Sequence, residues 1–78
     1  MGNFRPLPTK CWESFLLMMG YRYSRTKGSQ DIWIKKNAPR SIPVWGDEKE
    51  IPAQHLKSSC NTMGTTLDIL YAWAQENC

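Results

Sequence analysis

The chain has 78 residues, 41% of them hydrophobic, and a formal net charge of +3. A chain of this length has room for one domain and one core, and it is too apolar for a disordered or fibrous protein. The longest apolar run, residues 15–19, is far below the roughly 18 residues of a membrane span.

The N-terminus lacks the basic-then-apolar pattern of a secretory signal, so a cytoplasmic protein without a membrane partner is expected. Cys11, Cys60 and Cys78 are widely spaced with no C-x-x-C pair, which predicts free thiols rather than a disulfide framework. With His55 as the single histidine, neither a metal site nor any other cofactor is expected. Six of the ten basic residues, Arg22, Arg25, Lys27, Lys35, Lys36 and Arg40, fall within one short segment opposed only by Asp31. That segment is a local basic patch.

In chain order, an extended start over residues 4–8 leads into a helix over residues 9–19. Its face is Trp12, Phe15, Leu16 and Met19, with Thr9 as the N-cap and Gly20 as the stop. From Tyr21 the period becomes two, with Tyr21, Tyr23 and Arg25 facing one way and Arg22, Ser24 and Thr26 the other. Lys27-Gly28-Ser29 turns the chain into a second strand, Ile32 to Lys35, and residues 36–39 turn it again. Arg40 to Trp45 forms a third strand in which Ile42 and Val44 share a face. Pro43, with no amide hydrogen to donate, puts that strand at an edge. A charged loop follows, then a short helical turn over residues 53–59. Thr65-Thr66-Leu67-Asp68 resembles a capping box. It opens a last helix over residues 66–75, with Leu67, Leu70, Tyr71 and Ala74 inward and Ile69 and Trp73 widening the stripe. The expected fold is a single α+β domain over residues 1–78, ordered α-β-β-β-α. Its three-stranded antiparallel sheet carries both helices on one face and leaves the other to solvent or a partner.

Cations at the edge of a strand pair can bind a line of phosphates, although the same residues also suit a plain solvated strand. Trp33 and Tyr23 would stack on unpaired bases if they lay on the open face, and would otherwise belong to the core. Gly28 suits a tight turn and leaves bare backbone for a phosphate to approach. His55 has no carboxylate or hydroxyl at catalytic spacing, and Ser58, Ser59 and Thr62 lack the G-x-S-x-G context of an acyl-transfer serine.

The run "WESFLLMMGYRYSRTKGSQDIWIKK", with "RSIPVWG" and "MGTTLDILYAWA" after it, resembles the HicA toxins of bacterial type II toxin–antitoxin systems. The likeness covers residues 12–73. It implies a fold similar to double-stranded-RNA-binding domains and the activity of an mRNA interferase, an endoribonuclease held in check by a HicB antitoxin. It implies RNA contacts from Arg22, Arg25, Lys27, Gly28, Ser29, Trp33, Lys35 and Lys36. In the family a histidine follows Gly-Ser and is catalytic; here that position is Gln30, so the resemblance implies an RNA-binding scaffold inactive as written. Gln30 fits natural inactivation or an introduced substitution equally well. Two more departures are Trp45, where the family often has histidine after Pro-Val, and the longer connection over residues 47–61. Two other readings stand beside this one: a non-catalytic module binding RNA or protein, and an enzyme using His55.

Overall fold

The computed structural model describes residues 5–78, so Phe4 of the expected extended start lies outside the described residues. The observed order is β1 (Leu7–Pro8), α1 (Thr9–Met18), β2 (Arg22–Lys27), β3 (Gln30–Ile34), β4 (Ile42–Val44), β5 (Glu50–Ile51), α2 (Ala53–Met63) and α3 (Leu67–Asn77). The α+β class is as expected, with β2, β3 and β4 forming an antiparallel sheet in that order. Proline's missing donor is harmless in β4 because β4 is an edge strand, and Ile42 and Val44 are both buried.

Thr9 is the first residue of α1 and does not cap it; Pro8 occupies the N-cap position without a side-chain bond. Thr9 is instead tied to a distant segment. The Thr9 amide donates to the Lys49 carbonyl at 2.9 Å, and its hydroxyl donates to the Glu48 carbonyl. Those bonds extend a second, two-stranded sheet in which Leu7 pairs with Ile51 and Pro8 with Glu50. A sequence scan misses this sheet because each strand has only two residues.

The far end of α1 follows the glycine signal. Gly20, at φ 95°, donates to the Leu17 carbonyl, and Tyr21 donates to the Leu16 carbonyl, the paired bonds of a Schellman motif. The left-handed conformation turns the chain sharply, so that Tyr21 and Leu16 both enter the core.

The segment after β5 departs most from expectation. In place of a short turn, α2 continues for 11 residues and buries Leu56 and Cys60. One residue from each of two turns gives too thin an apolar pattern for a surface helix to show in sequence. It also explains the long connection over residues 47–61, which holds most of a helix. α3 starts one residue later than the capping-box reading: Thr66 is the N-cap, and its hydroxyl accepts from the Ile69 amide at 3.3 Å. Ile69 itself stands 53% exposed, so it does not widen the buried stripe.

The core lies between the helices and the inner face of the sheet. Trp33, Ile42 and Val44 from the sheet share one cluster with Trp12, Phe15 and Leu16 of α1, Leu56 and Cys60 of α2, and Leu70 and Ala74 of α3. Phe15 stacks on Trp12 at 5.8 Å and meets Trp73 edge-on at 5.3 Å, which joins α1 to α3.

The expectation of three free thiols is overturned. Cys11 and Cys78 form a disulfide, with Cα atoms 6.0 Å apart and a separation of 67 positions in sequence; Cys60 alone is free, and it is buried. Packing of α3 along α1 brings the chain end to the first turn of α1, and spacing in sequence carries no sign of that approach. A loop of this length confines the unfolded chain by about 4 kcal/mol in the chain-entropy model. Reduction, or Cys78→Ser, is therefore expected to lower unfolding free energy by roughly that amount, read as a lower urea midpoint with the helical signal retained at zero urea.

Burial pushes the Cys60 thiol up to about 11 from an ordinary 9.0. In the unfolded chain the same thiol ionises first, so between those values the folded state holds more protons. Its contribution to stability is complete below pH 9 and declines as pH rises toward 11. Urea midpoints should fall across that window, and Cys60→Ala should flatten the fall; the same slope in both proteins would remove Cys60 as its cause.

Candidate nucleic-acid interface

The basic strands meet at a two-residue turn, Gly28-Ser29, closed by the pair Lys27 and Gln30. Gly28 has φ 63° and Ser29 does not take a positive φ, the pattern of a type II′ turn, in which glycine holds the first central position. That turn matches the right-handed strand twist, so the hairpin is set locally by Gly28.

Strict alternation along β2 does not survive. The ladder pairs Tyr23 with Trp33 and then Arg25 with Ile32, leaving Ser24 as a bulged residue. Residues directly opposite each other share a face. Arg22 opposite Ile34, Arg25 opposite Ile32 and Lys27 opposite Gln30 therefore form one row on one face of the sheet. Tyr23 and Thr26 fall on the other side, opposite Trp33 and Asp31. The bulge thus gathers three cations that simple alternation would have split, and every residue of β2 is exposed.

The other expected site residues separate along the sheet. Gly28, Ser29 and Gln30 lie at the hairpin tip, with Gln30 half-buried beside Lys27. Lys35 and Lys36 lie past the opposite end of β3, where they line a shallow cleft of about 310 Å³ with Gly20, Arg22 and Ile34. The Lys35 ammonium sits 5.8 Å from the centre of the Tyr21 ring, a cation–π distance. The row from Arg22 to Lys27 connects these two ends.

Trp33 is a correction to the expected base-stacking site. It shares the inner face with Ile42, is 7% exposed, and meets Tyr23 edge-on at 6.4 Å. Its ring belongs to the core, and its indole nitrogen is buried with no hydrogen-bond partner.

Two arrangements were not read from sequence. The first clamps the hairpin: Tyr23 and Thr26 hydroxyls share a bond of 2.8 Å, and the Thr26 hydroxyl lies 2.8 Å from Asp31 Oδ1. Once the turn is placed at residues 28 and 29, Thr26 and Asp31 become neighbours by counting outward, so this contact was within reach of the sequence. Gly46 leaves room for the carboxylate, since a Cβ there would fall on Asp31 Oδ2. Nearby on α1, burial and then repulsion from Asp31 hold the Glu13 carboxyl above its ordinary value.

The second is a stack of Trp45 on His55, ring centres 4.6 Å apart. Small clefts of about 130 and 100 Å³ open on its two sides. Val44 pairs with Asp31, so Trp45 leaves the same end of the sheet as Gln30, and His55 is held at that end. Its Nδ1 is buried without a partner. Ser58, Ser59 and Thr62 line the second cleft, and the Thr62 hydroxyl donates back to the Ser58 carbonyl along α2.

Among the described residues no group of three or more His, Cys, Asp or Glu side chains is placed to hold a metal ion, and no helix is long and apolar enough to cross a membrane. No family model, curated protein or solved structure matches this chain.

Replacing Asp31 with Asn removes a charge beside Glu13 while keeping an acceptor for Thr26. The Glu13 carboxyl should then titrate lower, though still above its ordinary value because burial remains the larger cause. Side-chain carboxyl NMR shifts across acidic pH would measure it, and an unchanged Glu13 would mean that Asp31 is not the charge it feels.

Proposed function

We propose that this chain is a HicA-like toxin component: an RNA-binding mRNA interferase scaffold in which Gln30 stands at the position of the catalytic histidine. The observation that carries the reading is the placement of Gln30. It sits on the same sheet face as Arg22, Arg25 and Lys27 and directly across the ladder from Lys27. RNA held by that row would bring its backbone past position 30, where the resemblance puts the reacting group. The order of α1, three antiparallel strands and α3 supports the likeness to double-stranded-RNA-binding domains, while α2 before the last helix departs from it.

The chemistry needs no cofactor. Cleavage of this kind uses a base to activate the ribose 2′-hydroxyl and an acid to protonate the leaving oxygen. Glutamine can hydrogen-bond to either oxygen but has no proton to exchange near neutral pH. As written, the chain binds RNA and does not cut it. A HicB-like antitoxin with an acidic surface would suit the cation row and block RNA access. The place of action is the bacterial cytoplasm, where mRNA is translated. In that reducing compartment Cys11 and Cys78 would stand as two thiols, and the core would hold α3 without their bond.

A non-catalytic binding module is the alternative, and Gln30 favours it to the extent that nothing else supplies the lost acid–base step. His55, at the same end of the sheet, is the residue to test for that.

General acid–base catalysis typically contributes about 10² to 10⁴-fold, so Gln30→His should convert binding without cleavage into measurable cleavage of a labelled transcript. A folded Gln30→His protein that binds RNA but leaves it intact, with His55→Ala equally inert, would leave the binding module as the function.

A further inference from the structure

Resting on the RNA-binding reading above, we propose that the cationic sheet face recognises double-stranded RNA through its phosphates, rather than single-stranded RNA through its bases. The three cations of the row lie opposite Ile34, Ile32 and Gln30, alternate residues of β3. Alternate residues of a strand are about 6.7 Å apart, so the row is evenly spaced, on a scale that suits successive phosphates of one nucleic-acid strand. Ser24, the bulged residue, absorbs the irregularity that would have spoiled this spacing.

The same ladder shows what the face lacks. Tyr23 and Trp33 lie on its reverse, Trp33 inside the core, and beside the row stand Gln30, Ile32, Ile34 and Pro43. Among the described residues of the sheet, no aromatic ring shares a face with the row. Proteins that hold single strands draw much of their affinity from stacking, worth about ten- to hundred-fold for each base. A face offering arginine, lysine and aliphatic carbon has nothing for an unpaired base to stack on. What remains is attraction to phosphate, and a duplex presents phosphates as a rigid, dense and already ordered array. A single strand would lose conformational freedom on binding with no stacking to offset it.

The experiment measures fluorescence anisotropy of the intact Gln30 protein with a blunt RNA duplex and with an unstructured single strand of the same length. Each is titrated at 50 and 200 mM salt, conditions that bracket the range over which phosphate contacts weaken. The duplex should bind about tenfold or more tightly than the single strand. Three phosphate contacts should make duplex affinity fall about forty-fold between the two salts. Arg22→Gln, Arg25→Gln and Lys27→Gln combined, all at exposed positions, should abolish that fall. Ile34→Trp, which places a ring beside the row, should strengthen single-strand binding more than duplex binding and so narrow the gap between them. A single strand bound as tightly as the duplex would overturn the inference while leaving RNA binding in place. Salt-independent binding, or full affinity in the triple variant, would overturn it by removing the row from recognition. Binding of neither RNA would overturn the RNA-binding reading itself.

Discussion

Phe15 is fully buried between Trp12 on its own helix and Trp73 on α3, and the relation of α1 to α3 depends on that contact. A small domain buries a limited share of its surface, so each large ring counts heavily, and replacing Phe15 would remove the packing that holds the last helix on the first. The tertiary consequences follow from it. With α3 laid along α1, Cys78 reaches Cys11, Leu70 and Ala74 close over the sheet, and the inner faces of Trp33, Ile42 and Val44 acquire a roof. The disulfide is thus a result of the helix packing and then a lock on it.

The sheet solves a separate problem. Its inner side must be apolar to meet the helices, and a basic strand supplies few apolar residues. β2 contributes almost nothing to the core; the residue just before it, Tyr21, enters the core, and β3 and β4 supply the rest of the sheet's share. Freed from packing, β2 can carry charge at every outward position. The Ser24 bulge shifts the phase of the strand after Tyr23, so the aromatic stays with Trp33 while Arg22, Arg25 and Lys27 gather on the far side. Bulges are also a common way to blunt an exposed edge strand, so one irregularity can serve both charge placement and resistance to edge pairing.

The parts of this fold legible in sequence were those with strong local signals. The stripe of Trp12, Phe15 and Leu16, the stop at Gly20, the turn at Gly28 and the edge proline in β4 each depend on residues close together, and each appears where the pattern put it. Features set by distant contact were hidden. The first amide of α1 donates to the Lys49 carbonyl, far off in sequence, α2 fully buries only Leu56 and Cys60, and the cysteines that pair are at opposite ends of the chain. The site divides in the same way. The cations and the turn were visible, but which face each side chain took depended on a bulge, and alternation alone misplaced Arg22 relative to Arg25. Trp33 looked equally suited to stacking or to packing, and only its cross-strand partner Ile42 decides that it packs.

The resulting division of labour bears on why a glutamine can occupy position 30. The residue closes the hairpin opposite Lys27 and stands half-buried at the tip, where a side chain is asked to be polar and of moderate length. Glutamine meets those demands as well as histidine does. The hairpin is fixed by Gly28 and by the Tyr23–Thr26–Asp31 hydrogen bonds on the opposite face, neither of which touches the side chain at 30. Fold and cation row are therefore insulated from the chemistry of that one position. A change of side chain at position 30 can thus leave the hairpin and the cation row in place.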